Sequence, residues 1–110
     1  MLSSTGFFAT PNGSRYLQQL CKHFAHKMEV TFDTHSGALQ FDDGHVALRA
    51  DDTGLHATLS APGAREVIGT RYVIDKHLVI FAWREGFFGM DWQTPTGNAE
   101  AADPVASKAS

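Results

Sequence analysis

The stretch EVTFDTHSGALQFDDGHVALRADDTGLHATLS, residues 29–60, decides the fold. Apolar residues recur in it at every second position: Val30 and Phe32; Leu39 and Phe41; Val46, Leu48 and Ala50; Leu55, Ala57 and Leu59. Successive side chains of a strand point to opposite faces, so this period gives four strands one apolar face each. Between them stand Asp33-Thr34-His35-Ser36-Gly37, Asp42-Asp43-Gly44 and Asp51-Asp52-Thr53-Gly54. Short connections that close on glycine reverse the chain, which makes the segment an antiparallel meander. Its apolar side needs a cover.

The flanks supply that cover. Ser3 to Ala9 reads as a strand stopped by the turn cluster Thr10-Pro11-Asn12-Gly13. From near Ser14 the period lengthens to that of a helix, with Leu17, Leu20, Cys21, Phe24 and Met28 on one stripe. After the meander, Ser60 or Ala61 is expected to cap a second helix, with Pro62 in its first turn, that runs to about Glu85 and ends at Gly86. Val67, Ile74, Leu78, Phe81 and Ala82 form its inward face, and Phe87 to Trp92 reads as a last strand. The expected fold is therefore α+β, a two-layer sandwich with two helices on one face of an antiparallel sheet, in the order β-α-β-β-β-β-α-β. A single domain is expected over residues 1–93, and 94–110, rich in Ala, Asp, Ser and Pro, reads as a disordered tail.

The chain has 110 residues, 43% of them hydrophobic, with 8 Phe and 2 Trp, which is enough for one core and too little for two. Its net charge of −3 is uneven: residues 1–28 hold Arg15, Lys22 and Lys27 and no acid, whereas 29–66 carry seven acids against two arginines. No broad basic surface results, so no nucleic-acid partner is expected. The longest apolar run, Leu78 to Trp83, is far short of a membrane span, and no cation precedes Arg15 to mark a leader. The expectation is a cytoplasmic protein without a membrane partner. The single cysteine, Cys21, excludes an internal disulfide and any paired-cysteine metal site.

Short catalytic signatures such as phosphate-cradling glycine loops, nucleophile elbows or paired metal histidines with an intervening Glu do not occur. Cys21 lies on the apolar stripe and reads as a small hydrophobe. His23 and His26 are one helical turn apart beside Lys27, and His77 and Arg84 share a face of the second helix. Where the two flanks meet, His23, His26, Lys27, His77, Arg84 and Glu85 are the candidate ligand-binding residues. Two histidines fall short of a zinc site, so no cofactor is expected to be built in; the cationic set suits an anion or an anionic chelate of iron. His45, Arg49, His56 and Thr58 fall on the sheet's outward face and read as solvated. The second helix also carries Tyr72, Val73, Val79, Ile80 and Trp83 outside its inward stripe, from which a homodimer is expected.

Two motifs carry a resemblance. Ser14-Arg15-Tyr16-Leu17, continuing through Leu20-Cys21-Lys22-His23-Phe24-Ala25-His26-Lys27, and then His77-Leu78-Val79-Ile80-Phe81-Ala82-Trp83-Arg84-Glu85 with Asp91-Trp92, resemble the bacterial family known as domain of unknown function 2218, over about residues 5–92. The resemblance implies a small bacterial domain without an established activity, associated with siderophore-interacting flavin reductases. On that footing the chain is expected to be a non-enzymatic accessory or ligand-binding module linked to iron and siderophore use. The alternatives are a structural or protein-interaction domain docking to such a reductase, and a small enzyme using Cys21 or a histidine. Trp83 and Gly86-Phe87-Phe88-Gly89 depart from the family's pattern, which puts the start of the last strand in question.

Overall fold

A computed structural model describes residues 1–97. It holds β1 (Leu2–Ala9), α1 (Gly13–Phe24), β2 (Glu29–Phe32), β3 (Ser36–Gln40), β4 (His45–Asp51), β5 (Gly54–Ala61), α2 (Ala64–Ala82), β6 (Asp91–Trp92) and β7 (Thr96–Gly97). The strands form one antiparallel sheet in the order β2-β3-β4-β5-β1-β6, with β7 also on β1. The meander is thus built as the alternation dictates, and β1 returns to pair with β5 from Leu2↔Ala61 to Ala9↔Gly54. Both helices pack on the same face. Leu39, Val46, Leu48, Leu55, Ala57 and Leu59 point from the sheet into a core shared with Leu17, Leu20, Cys21 and Phe24 of α1 and Val67, Ile74 and Leu78 of α2. His45, Arg49 and Thr58 are exposed and His56 half-buried on the opposite, uncovered face.

Local departures have physical causes. The second helix starts at Ala64, with Gly63 at its cap, because β5 stays paired to β1 as far as Ala61 and cannot release Ser60 or Ala61 as a cap. It ends at Ala82; a single tight turn over Trp83–Glu85 follows, and Gly86 takes the left-handed conformation (φ 76°) that reverses the chain. Phe81 is half-buried and packs against the core edge, not within it. The strand expected from Phe87 to Trp92 shrinks to Asp91–Trp92, since Phe87 and Met90 turn inward to close the end of the core. Phe32, on the edge strand β2, is 39% exposed instead of half-buried. Thr96 and Gly97, placed by the sequence in the tail, pair with Ser3 and Leu2, and the rest of that tail lies outside the described residues.

The C-terminal segment is latched onto α2. Asp75 accepts the Met90 backbone N–H (3.0 Å) and the Trp92 indole N–H (2.9 Å). Arg71 donates to Ser4 Oγ and the Gln93 carbonyl and lies over the Trp92 ring at 5.6 Å. Among the described residues no helix is long and apolar enough to cross a membrane.

Candidate functional site

The two helices run antiparallel along a seam. Tyr16, in the second turn of α1, meets Glu85 just past the end of α2, and His23, two turns later, meets His77. The imidazoles of His23 and His77 lie 4.6 Å apart, centre to centre, at 46° to each other, and Phe24 and Phe81 pack edge-on against them. The His77 Nδ1–H donates to the Val73 carbonyl (2.8 Å), which orients the ring. His23 Nε2 and the nearby Gln19 Oε1 are both buried without a hydrogen-bond partner. Burial lowers the His23 pKa first, and the neighbouring His77, Lys27 and His26 lower it further. The seam therefore disfavours the protonated form of His23.

The other candidate residues are dispersed. His26 and Lys27 follow the end of α1 and are exposed; Lys27 edges a groove of about 480 Å³ shared with Phe41, Asp42, Asp43 and Tyr72. Arg84 is exposed over the Trp83 ring at 5.0 Å. Glu85 points the other way, to the β1–α1 turn, where its carboxylate accepts Thr10 Oγ1 (2.7 Å), Asn12 Nδ2 (2.8 Å) and the Tyr16 hydroxyl. Those donors hold its carboxyl below the usual carboxylate range, while burial and the facing Glu85 push the Tyr16 phenol up. Tyr16 and His23 are seven residues apart, about 10 Å along α1, so Glu85 cannot serve the histidine pair. Among the described residues, no three His, Cys, Asp or Glu side chains come together as a metal site would require. Cys21 is fully buried, and that burial pushes its thiol up to about 11, where it is no nucleophile at neutral pH.

On the uncovered sheet face, Asp51 accepts from Arg49 (2.6 Å), from Thr53 and Gly54 in its own turn, and from His56 Nε2 (3.2 Å). These donors hold the Asp51 carboxyl far below its ordinary value. The group is a turn staple with its bonding capacity spent. The open depression beside it, about 710 Å³, is lined by Pro11, Ser14, His35, Asp52 and Thr53.

The outward face of α2 is largely apolar. On the outward face of α2, Ile68 (64%), Tyr72 (64%), Ile80 (64%) and Trp83 (60%) are exposed, and Phe88 (93%) stands beside them on the latched segment. Lys76 lies over the Tyr72 ring at 5.4 Å. Tyr72, Asp75, Lys76, Val79 and Phe88 enclose a shallow groove of about 410 Å³. The sequence reading found Tyr72, Ile80 and Trp83 but missed Ile68 and Phe88, while Val73 and Val79, which it counted with them, rest half-buried against the core. Ile68 lies one helical turn before Tyr72, a spacing that could have revealed it; Phe88 was hidden by the expected strand.

A family model described as "Uncharacterized protein conserved in bacteria (DUF2218)" matches residues 5–93. A solved structure, the NMR structure of PA4090 from Pseudomonas aeruginosa, is similar with a TM-score of 0.71 and 29% identity, over 84% of this chain and 96% of that one. No curated protein matches.

Proposed function

The chain belongs to that uncharacterised bacterial family, and from this premise we propose that it is a non-enzymatic docking module whose working surface is the outward face of α2. One observation carries the reading: five large apolar side chains, three of them aromatic, stand more than half exposed on and beside the outward face of α2, while Glu85 and Asp51 are satisfied by their neighbours. Monomeric proteins seldom leave such a patch uncovered. Aromatic anchors are also the residues that dominate interface energetics. In this reading the seam and the C-terminal latch are scaffold, holding α2 and Phe88 in one plane.

A photoreactive residue placed at position 72 or 80 of the full chain, and at position 47 on the uncovered sheet face as a control, tests this in cells. Discrete adducts are expected at 72 and 80 only. Adducts at 47 alone, or none at all three, would overturn the reading.

A second reading, a binding site for an anion or ferric chelate in the service of iron and siderophore use, is favoured by the 4.6 Å approach of His23 and His77 with Lys27 and His26 nearby and no acid among the groups that shift His23. Calorimetric titration with ferric citrate, with wild type against His23→Ala/His77→Ala, decides it: heat lost in the double variant supports it, and no heat or equal heat removes it.

A further inference from the structure

Resting on the docking reading, we infer that the occupant of the α2 face is an acidic, apolar segment of a partner protein, which sets a carboxylate against Lys76 and an apolar side chain in the groove beside it. The argument is the sign of the charge left over on this face. Lys76 on α2 and Arg84 just past its end are exposed, and the ion pairs among the described residues, Arg49–Asp51 and His56–Asp51, leave both unpaired. The neighbouring acids are already engaged. Asp75 gives its two oxygens to Met90 and Trp92 and has Arg71 one turn before it, and Glu85 turns away to Thr10, Asn12 and Tyr16. Asp42 and Asp43 edge a separate groove that shares only Tyr72 with this one and has Lys27 as its own cation.

Both cations stand against apolar surface, Lys76 over the Tyr72 ring at 5.4 Å and Arg84 over the Trp83 ring at 5.0 Å. A carboxylate brought there by a partner is shielded from water on one side, so the attraction exceeds that of an open surface pair. The position of Lys76 selects a protein over a lipid surface. Tyr72, Lys76 and Ile80 occupy successive turns of one helix face, which puts the cation in the middle of the patch. Helices that lie on a bilayer carry their cations on the face turned away from the acyl chains. A protein partner instead sets one carboxylate at that point with apolar side chains around it. The groove of about 410 Å³ between Tyr72 and Phe88 has room for a large apolar side chain, with Lys76 on its wall.

Photocrosslinking in cells from position 80 of the full chain tests the inference through charge. The wild type is expected to give an adduct whose crosslinked peptide comes from another protein and carries Asp or Glu beside apolar residues. Lys76→Glu, a change at an exposed side chain, should cut the adduct yield about tenfold or more without altering the circular dichroism spectrum. Lys76→Gln, which only removes the charge, should cut it by a smaller factor, and Lys76→Arg should retain it. Lys22→Glu, the same charge change on α1, should also leave the yield as it is. An adduct of twice 12.0 kDa, an adduct to lipid, a yield that Lys76→Glu leaves unchanged, or one that falls equally with Lys22→Glu, would overturn the acidic partner while leaving the docking reading standing. No adduct at positions 72 and 80 overturns both.

Discussion

Gly6→Ala should destabilise this domain, against the usual sign of such a change. Gly6 lies inside β1 at an ordinary φ, where alanine normally stabilises by roughly 0.4–1 kcal/mol through the unfolded chain. Here the added Cβ would fall 2.7, 2.8 and 2.9 Å from three carbons of the Trp92 ring. The ring cannot yield cheaply, because its N–H is held by Asp75 at 2.9 Å and Arg71 lies over it. Forcing a methyl into such a contact costs about 1–3 kcal/mol, which for a domain of this size lowers Tm by roughly 5–20 °C. Thermal unfolding followed by circular dichroism measures it directly. A double-mutant cycle isolates the cause: in a Trp92→Ala background the same Gly6→Ala change should be neutral or stabilising, giving a coupling of about 1.5–4 kcal/mol. An unchanged or raised Tm for Gly6→Ala in the wild-type background, or a penalty that persists without the indole, would refute the latch as described.

Three further expectations concern the seam and the core. Glu85→Ala strands the Thr10 and Tyr16 donors and should cost about 2 kcal/mol, less than fully buried donors would because Glu85 itself is exposed, read as a Tm loss. Since the folded Glu85 carboxyl is held below its ordinary value, that stability is present above about pH 4.5, disappears as pH falls through the folded value, and the variant should lack this acid dependence. His23 is likewise depressed, so the folded state resists protonation there; stability should fall as pH drops below about 6.5, and His23→Phe should flatten that slope in urea titrations at pH 5.5 and 7.5. Cys21, pushed up to about 11 and buried, should resist a thiol-reactive disulfide at pH 8 until denaturant is added, and fast native-state labelling would contradict its place in the core.

How far the sequence could be read follows from which signals are local. Val46, Leu48 and Ala50 alternate within one strand, and Leu17, Leu20, Cys21 and Phe24 recur within one helix, so both faces were visible from the pattern alone. Phe87 and Met90 obey no period: they are drawn inward by the open end of the core, and Asp75, a helix residue with no local signature, fixes the chain behind them. The approach of His23 to His77 was legible because both lie on helix flanks that the fold sets side by side. The separation of Glu85 from that pair was not, since its partners Thr10, Asn12 and Tyr16 are some seventy residues away in the chain. Charge and residue type marked Glu85 as part of a polar site, whereas the structure shows it already satisfied by neighbours and leaves the apolar α2 face uncovered.

Carbene footprinting of the chain in living cells, against the dilute purified protein, tests most directly whether the outward face of α2 is the surface this domain uses. Tyr72, Ile80, Trp83 and Phe88, open to solvent in the isolated chain, should lose most of their labelling in cells, while His45, Arg49 and Thr58 on the uncovered sheet face keep theirs. Equal labelling of the α2 face in both settings, or protection of the sheet face in its place, would contradict the account.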